Sequence, residues 1–551
     1  MARSKARVYA CCALLLLCVL AVIVCVVVFV RRKCPNDSFF RGAVAADSGT
    51  CSRVGRDILQ AGGSAVDGAI AALLCTSVVN AQSMGIGGGS MFTVMDSSGK
   101  VKVINCRETA PRTLVPDLLK SCHKGFDRED GRWIGVPGEL RCYELAHRLY
   151  GKLPWADLFQ PTIKMAREGF PLPQVQGGHV ANIPADKTPS LRKLFLDKDG
   201  NLLKTGDIVK FEKLADTLET IASHGADVFY TGRIAEDLIR DIRGAEGTLT
   251  VQDLAEYRAT VMDPWTVPLG EYQMHFPPSP AAGSLLSLVM HIMEGYNLTP
   301  ATLTGEQKTL VYHRYVEAFK FVNGLKKRVR DPKFSSDEMA KQLTEQSFAN
   351  HIRSLIMDNR THEAQYYNIT PHLDSGGTTH VSVLAEDGSA VSVTSTINQM
   401  FGSKVVSLST GVILNNQLAD FCHRVDRIFP GEQPPSSMAP SVLKSRSRTL
   451  LIGASGGGMI TTGVASALMN HLWFGKSLKE AIEAPVVFVN SENILKTDSN
   501  FDKTVTEALK AMGHKHETAQ KLFNVVNAVE KVDGCIFAVS DERKRGEAAG
   551  Y

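Results

Sequence analysis

Two glycines followed by two threonines and a histidine stand late in the 551-residue chain, in the stretch LDSGGTTHVSV (residues 373–383). A threonine hydroxyl can attack the carbonyl of the peptide bond before it, giving an ester that water then opens. The attack needs a distorted backbone upstream, which Gly376 and Gly377 permit at little steric cost. The freed Thr378 would carry a hydroxyl and an α-amino group that acts as its base. A plain loop entering a strand is the alternative interpretation.

A second glycine-rich stretch, GASGGG (residues 453–458), follows a predicted strand and opens a predicted helix. The absent Gly-Lys-Ser/Thr ending argues against a phosphate-binding loop. The stretch matches the G-x-S-x-G nucleophile elbow, with Ser455 as nucleophile. The acid of such a site would be Asp498 or Asp502, and the base would be His514 or His516, all of which follow Ser455 in the chain. A third possibility is an oxyanion hole made of backbone N–H groups.

The elements that must position these residues are strands at both ends of the chain and helices between them. SAVDGAIAALLCTSVV (residues 64–79) predicts a buried helix with Ser64 as its N-cap. SMFTVM and KVKVIN predict a hairpin that ends near Arg107. Residues 135–370 are predicted to be mostly helical, and strands return from Thr378. This order predicts an α+β sandwich of sheets covered by helical layers.

The first 33 residues differ from the rest of the chain. Residues 8–30 contain no charge, and a helix of this length reaches about 34 Å, enough to cross a bilayer core. A cleaved signal peptide is the competing interpretation, but its apolar region is usually shorter. Arg31, Arg32 and Lys33 follow directly. The pattern favours a retained transmembrane anchor in contact with the lipid bilayer.

The charge and the cysteines of the chain after residue 33 bear on its partners and its compartment. The net charge of +4 comes from six basic residues in the first 33, which leave 55 Lys and Arg against 57 Asp and Glu. We therefore expect no nucleic-acid partner. Eight cysteines lie outside the anchor without a C-x-x-C pair, so a zinc ribbon is not expected. Four glycosylation sequons favour an extracellular domain, at Asn36, Asn297, Asn359 and Asn368.

Five short motifs occur in order along the chain: DSGGTTH, TSTIN, NNQLADF, PPSSMAPS and GASGGG. With these motifs the chain resembles the gamma-glutamyltransferases, or glutathione hydrolases. The resemblance runs from AVAADSGTC to the terminal GEAAGY. It implies the four-layer αββα fold of N-terminal nucleophile (Ntn) hydrolases. It also implies self-cleavage between Gly377 and Thr378, which gives a large subunit (31–377 outside the cell) and a small catalytic subunit (378–551) that form a heterodimer.

The resemblance further implies a type II plasma-membrane protein with a cytoplasmic tail (1–7), an anchor (8–30) and an extracellular catalytic domain. The roles of individual residues carry over in the same way. Thr378 matches the nucleophile, Thr396 a hydrogen-bond partner of its hydroxyl, and Gly456 and Gly457 the oxyanion-hole donors. The substrate-binding positions are Arg107, Ser436 and Ser437 for the α-carboxylate, and Asn398, Gln417 and Asp420 for the α-ammonium. Cys51 and Cys75 match a disulfide.

Four departures from the family pattern bear on the site. Gln417 stands where many animal members have Glu, so we expect weaker amine binding without its loss. Cys106 replaces a usual Ala beside Arg107, where a thiol could crowd or oxidise the pocket, and Cys142 replaces a usual Gly. The segment between Phe421 and Pro435, which corresponds to a lid, is short.

These observations predict an enzyme that cleaves the γ-glutamyl bond of glutathione and its S-conjugates, leukotriene C4 (to D4) included, through an ester on Thr378. Water, an amino acid or a dipeptide then accepts the acyl group, and no metal or organic cofactor is expected. Two alternatives stay open. One is an unprocessed, catalytically silent surface binding protein, and the other is a serine hydrolase that uses Ser455.

Overall fold

The computed structural model describes residues 34–371, 376–519 and 524–551, together with Leu17 and Val19. Apart from these two positions, the expected cytoplasmic tail (1–7) and anchor (8–30) lie outside the described residues. Within the described part of the chain, no helix combines the length and hydropathy needed to cross a bilayer.

Strands and helices follow one another as expected for an α+β protein. The described strands are β1 (Ala43–Ala45), β2 (Gly89–Met95), β3 (Val101–Cys106), β4 (Phe170–Pro171), β5 (Ile208–Val209), β6 (Thr260–Met262), β7 (Trp265–Leu269), β8 (Tyr272–Phe276), β9 (Gly377–Leu384), β10 (Ala390–Asn398), β11 (Val406–Ser407), β12 (Val412–Ile413), β13 (Ser441–Lys444), β14 (Arg448–Ser455), β15 (Val487–Val489), β16 (Leu495–Thr497), β17 (His516–Thr518), β18 (Val525–Val532), β19 (Cys535–Ser540) and β20 (Ala549–Gly550). The described α-helices are α1 (Gly49–Gln60), α2 (Ala65–Val79), α3 (Glu139–Tyr150), α4 (Trp155–Glu168), α5 (Gln174–Val180), α6 (Pro189–Leu194), α7 (Glu212–His224), α8 (Asp227–Tyr230), α9 (Gly232–Gly244), α10 (Val251–Glu256), α11 (Gly283–Glu294), α12 (Gly305–Leu325), α13 (Glu338–Gln342), α14 (Gln346–Leu355), α15 (Ile460–Leu468), α16 (Leu478–Glu483) and α17 (Lys503–Ala511).

Two antiparallel sheets form the centre of the molecule. The first has seven strands in the order β20-β1-β9-β10-β2-β3-β6, and the second has six in the order β19-β18-β14-β13-β8-β7. Leu384 of the first sheet packs with Leu451 and Val529 of the second, so the two sheets face each other across an apolar core. Small strands elsewhere form minor two- and three-stranded sheets.

Helices cover the outer face of each sheet. Val381 and Val393 point away from the second sheet into a core shared with helices α1 to α10. Leu450 and Val526 of the second sheet pack instead with α11, α12 and α15. Because side chains alternate along a strand, one face of each sheet meets its partner sheet and the other meets helices. The result is a helix–sheet–sheet–helix sandwich.

Several elements match the sequence-based expectations. Ser64 caps α2 in a full capping box with Asp67, and the predicted hairpin is β2 paired with β3. The closing hairpin turns at Asp533 and Gly534, both at positive φ (51° and 88°), the pair of left-handed residues that a type I′ turn needs. The expectation of a mostly helical middle was incomplete, because strands β6, β7 and β8 lie between helices there.

The pairing of β9 with β10 sets the geometry of the site. Thr378 lies directly opposite Thr396, and a bulge then places Asn398 opposite Gly377. Thr378 shares its strand face with His380 and Leu384, the face that meets the second sheet. The register therefore brings residues of two predicted motifs into contact at the edge of the intersheet core.

Candidate active site

The hydroxyl of Thr378 lies beside the bond that it is expected to cleave. Thr378 is 3% exposed, and its Oγ1 donates to Thr396 Oγ1 at 3.1 Å. The Thr396 hydroxyl in turn donates to the carbonyl oxygen of Gly377 at 2.6 Å and accepts from the Asn398 N–H at 2.8 Å. Thr396 thus contacts both groups that the expected attack would join, the hydroxyl of Thr378 and the carbonyl before it.

Gly377 lies where the backbone of a neighbouring segment leaves no room for a side chain. The residue is extended at the start of β9, so its backbone is not left-handed. A Cβ at Gly377 would lie 2.4 Å from the carbonyl oxygen of Gln399, closer than real Cβ contacts come. Glycine at this position allows the close approach of two backbones beside the expected scissile bond.

A buried ion pair supports Thr378 from the other side. Lys544 Nζ donates to the Thr378 carbonyl at 2.5 Å, to Asp47 Oδ2 at 2.9 Å and to Ser455 Oγ at 2.8 Å. Asp47 also accepts from the Thr379 hydroxyl at 2.7 Å. Sequence reasoning assigned no role to Asp47 or Lys544, although each lies within or beside a motif that carried the resemblance.

The loop after β14 contains the two glycines that are expected to form an oxyanion hole. Gly456 and Gly457 have φ values of 118° and 58°, in the region that side chains disfavour. Gly457 and Gly458 line a cavity together with Thr378, whereas Gly456 is not part of its wall. The N–H of Gly457 is therefore the predicted donor that the geometry favours most.

Ser455 lacks the partners of a serine nucleophile. Its hydroxyl accepts from Lys544, and no described histidine bonds to it. His514 instead contacts His313 and Lys320, and His516 bonds Thr497. The candidate acids are engaged elsewhere, with Asp498 paired to Arg543 and Asp502 paired to Lys308. The serine triad is not assembled among these residues.

One polar cavity, which we call the threonine cavity, gathers most of the predicted site. Its wall includes eight of the predicted positions, namely Arg107, Thr378, Thr396, Gln417, Asp420, Ser436, Ser437 and Gly457. Arg424, Met438, Gly458 and Ile460 complete the wall and were not predicted. Arg424 belongs to the lid segment, which gave no residue-level signal because its sequence carries no recognisable motif.

The cationic side of the threonine cavity is the guanidinium of Arg107. The side chain is fully buried, and its Nη2 donates to Asp420 Oδ2 at 2.5 Å and to the Pro435 carbonyl at 3.0 Å. Its Nε donates to the carbonyl of Pro434 at 3.1 Å. Nη1 lies 3.6 Å from Oε2 of the buried Glu108 but forms no hydrogen bond within the described residues, so its N–H groups are the donors left for an incoming carboxylate.

Acceptors lie beside this cation. Gln417 donates from Nε2 to Asp420 Oδ2 at 2.8 Å, which leaves its buried Oε1 without a described partner. Asn398 donates from Nδ2 to the Asn416 carbonyl at 3.0 Å, and its Oδ1 is also buried and unpaired within the described chain. Unpaired buried polar atoms are costly. Asn398 is not part of the wall of the threonine cavity, so the structure does not bring this predicted position together with the others there. The Arg107 donor, the Gln417 acceptor and the Asp420 carboxylate suit a ligand that carries both an ammonium and a carboxylate.

His380 is not placed to act as a base. Its Nδ1 faces the Thr394 hydroxyl at 2.9 Å and its Nε2 faces the Ser382 hydroxyl at 3.0 Å. A Cβ at Gly453 would overlap the imidazole ring, so the ring is packed between the two sheets. Burial lowers the pKa of His380 to about 3, and the imidazole is neutral at physiological pH.

All eight cysteines in the described part of the chain are paired. Cys51 joins Cys75, the pair that the resemblance implied. Cys106 joins Cys142, so the expected free thiol beside Arg107 was wrong. Two further pairs had no sequence signal, Cys34 with Cys535 and Cys122 with Cys422. The four sequon asparagines are all exposed.

One buried cluster has side chains of the types that hold metals. Ligand atoms of His313, Glu317 and His514 lie within 4.8 Å of one another. They are already engaged, because His313 Nδ1 lies 2.8 Å from His514 Nε2 and Lys320 Nζ lies 2.9 Å from His514 Nδ1. Lys320 is also 3.5 Å from Glu317. A lysine ammonium at this position disfavours a second cation, and none of these residues lines the threonine cavity.

Comparison with known proteins identifies relatives over the whole chain. A model of the gamma-glutamyltranspeptidase family matches residues 51–551. The chain is 44% identical to glutathione hydrolase 5 proenzyme of Rattus norvegicus, over 97% of both chains. It is 43% identical to the Homo sapiens protein of the same name, over 96% of both. The crystal structure of cephalosporin acylase from Bacillus halodurans shares the fold, with a TM-score of 0.83 at 24% identity over 95% of this chain and 98% of that one.

Proposed function

Because the chain belongs to the gamma-glutamyltranspeptidase family, we propose that it hydrolyses the γ-glutamyl bond of glutathione and of glutathione S-conjugates, leukotriene C4 among them. One observation carries the proposal. Arg107 and Gln417, each with one polar atom that forms no hydrogen bond within the described residues, lie with Asp420 in one cavity with Thr378. The α-carboxylate of a γ-glutamyl group would pair with Arg107, aided by Ser436 and Ser437. Its α-ammonium would pair with Asp420 and the acceptor oxygens.

The enzyme would be made by self-cleavage before Thr378. The Thr378 oxygen adds to the Gly377 carbonyl carbon, and the carbonyl is polarised by the Thr396 hydroxyl. The C–N bond breaks as the nitrogen takes the hydroxyl proton, and water then hydrolyses the ester. The products are a large chain that ends at Gly377 and a small chain that begins at Thr378. The word "proenzyme" in the names of both relatives supports this step.

In the mature enzyme the freed α-amine of Thr378 would be the general base. An α-amine in proteins has a pKa near 7.7, so a substantial fraction of it is neutral at physiological pH and can accept the hydroxyl proton. Thr378 Oγ1 attacks the γ-carbonyl, and the N–H groups of Gly456 and Gly457 hold the oxyanion. Cysteinylglycine or its conjugate leaves with the proton. Water, an amino acid or a dipeptide then takes the acyl group from Thr378.

The proposed location is the outer face of the plasma membrane. A type II anchor at residues 8–30 would leave residues 1–7 in the cytoplasm and the catalytic domain outside. Four disulfides in the described chain suit an oxidising compartment. The exposed sequon asparagines are accessible to glycosylation.

A pair of chromogenic substrates tests the proposed function. γ-Glutamyl-p-nitroanilide carries the α-ammonium, whereas glutaryl-p-nitroanilide keeps the carboxylate in place and lacks the amine. We expect release of p-nitroaniline from the first at a kcat/KM about a hundredfold higher, because the second leaves Asp420 and Gln417 unpaired. Equal turnover of the two would contradict amino-acid recognition. A single chain that releases nothing from either would favour the silent binding protein.

A further inference from the structure

Four hairpin turns meet at the end of the sandwich opposite the threonine cavity. The turns after β2 and β9 belong to the first sheet, and those after β13 and β18 belong to the second. Residues of all four turns line one cavity, so the turns lie together at what we call the hairpin end. Thr378 lies at the start of β9 and Gly456 directly follows β14. These eight-residue strands therefore separate the candidate active site from the hairpin end by about 20 Å.

The cavity between the turns, which we call the turn cavity, has a basic wall. Its volume is about 270 Å³, and its described wall contains four cationic side chains and one carboxylate, namely Lys444, Arg446, Arg448, Lys531 and Asp96. None of the four cations forms an ion pair with a carboxylate of the described residues. All four are at least partly exposed to solvent, so their charges are available to an anionic partner.

The carboxylates around the turn cavity are fewer than its cations and are mostly engaged. Asp96 accepts hydrogen bonds from two backbone N–H groups of its own turn. In the turn after β9, Glu386 and Asp387 are each paired with a basic side chain from outside the cavity wall. Asp533 adds one exposed carboxylate in the turn after β18. The turn cavity therefore has an excess of positive charge, which attracts anionic groups.

A disulfide ties the beginning of the described domain to the hairpin end. Cys34 is bonded to Cys535, and Cys535 directly follows Gly534, which lines the turn cavity. The proposed anchor ends at residue 30, and four residue steps of at most about 3.6 Å span no more than about 14 Å. The hairpin end therefore lies close to the point at which the chain would leave the bilayer.

An exposed aromatic side chain lies at the hairpin end as well. Phe40 is 66% exposed, although it is large and apolar. The next residue, Arg41, pairs with Glu386 of the turn after β9 at 3.7 Å, which places Phe40 beside the hairpin turns. An apolar ring next to basic side chains is typical of protein surfaces that lie in the interfacial layer of a membrane.

We propose that the hairpin end docks on the headgroup layer of the bilayer that holds the anchor. The cations of the turn cavity would bind anionic lipid headgroups, and the ring of Phe40 would insert among them. This inference rests on the anchor proposed at residues 8–30 and is independent of the hydrolase activity. It places the threonine cavity at the end of the domain away from the bilayer, so substrates would reach Thr378 from the extracellular solution.

Lysine acetylation tests the proposal on the full-length, deglycosylated protein in nanodiscs of phosphatidylcholine and phosphatidylserine. A reagent that does not enter the bilayer modifies accessible amines, and mass spectrometry measures the rate at each lysine. Lys444 and Lys531 should react at least about fivefold more slowly in low salt than in high salt, because each cation near an anionic surface contributes about this factor and salt screens it. Lys193, an exposed lysine of α6 outside the turn cavity, is the control and should react equally in both.

A double variant separates docking from mere proximity to the anchor. Arg446→Gln with Phe40→Ser should raise the acetylation rate of Lys531 in low salt to its high-salt value. The same variant should keep kcat/KM for γ-glutamyl-p-nitroanilide within about twofold, because neither residue lies near the threonine cavity. Arg243→Gln with Leu408→Ser removes an exposed arginine and an exposed leucine outside the turn cavity, and this matched control should leave the rate at Lys531 unchanged.

Protection of Lys531 that neither salt nor the double variant changes would overturn the proposal, because proximity to the anchor would then account for it. Equal rates at Lys444, Lys531 and Lys193 in low salt would overturn it too. Release of the full-length protein from membranes by alkaline carbonate would refute the anchor and this inference with it. Absence of γ-glutamyl-p-nitroanilide turnover in a protein that is docked as expected would instead refute only the proposed hydrolase activity.

Discussion

At the scale of single residues, the account depends on Thr378 and its neighbours. The Thr396 hydroxyl bridges the attacking oxygen and the carbonyl of Gly377, and Lys544 bonds the Thr378 carbonyl. In the proposed mechanism, each group has a part in cleavage of the precursor or in the later reaction. The side chain of Thr378 would have a part in both, since it would supply the attacking oxygen each time.

Thr378→Ala should leave a single full-length chain, because alanine has no hydroxyl to begin the acyl shift. Thr378→Ser keeps a hydroxyl and should still be cleaved. The measurement is a denaturing gel of reduced samples. Two chains in the alanine variant would mean that a separate protease makes the cut, and the role of Thr378 in processing would have to be withdrawn.

At the scale of elements, a disulfide fixes the strand that ends at the binding arginine. Cys106 is the last residue of β3 and Cys142 lies in α3, so their bond ties the end of the strand to a helix next to Arg107. The disulfide thereby accounts for Cys106 and Cys142, which in the sequence were only departures from the family pattern.

Removing the disulfide between Cys106 and Cys142 should weaken substrate binding more than it slows the chemical step. Cys106→Ala with Cys142→Ala should lower the free energy of unfolding by about 4 kcal/mol for its 36-residue separation and raise KM for γ-glutamyl-p-nitroanilide, with kcat within about twofold. Cys51→Ala with Cys75→Ala is the control, since it removes a bond between α1 and α2 and should lower stability without raising KM. An unchanged KM in the first variant would show that Arg107 is held by other contacts.

A buried carboxyl at the start of α3 should make stability depend on pH. Complete burial raises the pKa of Glu139 from 4.5 to about 7. Between these values the unfolded chain loses the proton while the folded chain keeps it, so this residue's contribution to stability falls as pH rises and is constant above about 7.

Glu139→Gln should therefore gain stability over the wild type as pH rises from 5 to 8, by about 3 kcal/mol at most. Melting temperatures of both proteins at the two pH values measure the difference. Glu168→Gln, at an exposed position of α4, should show no such trend. A wild-type advantage at pH 8 would mean that Glu139 is stabilised in its ionised form.

The sequence predicted most of the strands and helices around the site, but few of the contacts between distant parts of the chain. Patterns of period 2 and the capping box at Ser64 are local, so β2, β3, β9, β10 and α2 were predictable. Strands β6 to β8 are short and lie among helices, where a local pattern is weak. Lys544 reaches Thr378 across 166 residues, and the two long-range disulfides join positions with no shared motif. Such pairs depend on the folded topology, which single-sequence patterns do not encode.

At the scale of the whole molecule, two disulfides cross the expected cleavage point. Cys34 and Cys122 precede Thr378, and their partners Cys535 and Cys422 follow it. The large and small subunits would therefore remain covalently joined after cleavage, in addition to sharing the first sheet, in which β9 and β10 lie between strands from before residue 377.

The processed wild type should therefore run as one band without reductant and as two bands with it. Replacing either long-range pair with serine should preserve the single band, and replacing both should give two bands in either condition. Separation of the wild-type chains without reductant, in a sample that is fully cleaved, would show that these bonds do not link the subunits.

The nucleophile can be identified by trapping the acyl group on the enzyme. The enzyme is mixed with γ-glutamyl-p-nitroanilide, quenched in acid within one turnover, reduced and analysed by mass spectrometry, with Ser455→Ala in parallel. The account predicts a small chain that begins at Thr378 and carries one γ-glutamyl group as an ester on that residue, in both proteins. A γ-glutamyl group on Ser455 that disappears in the Ser455→Ala variant would contradict it.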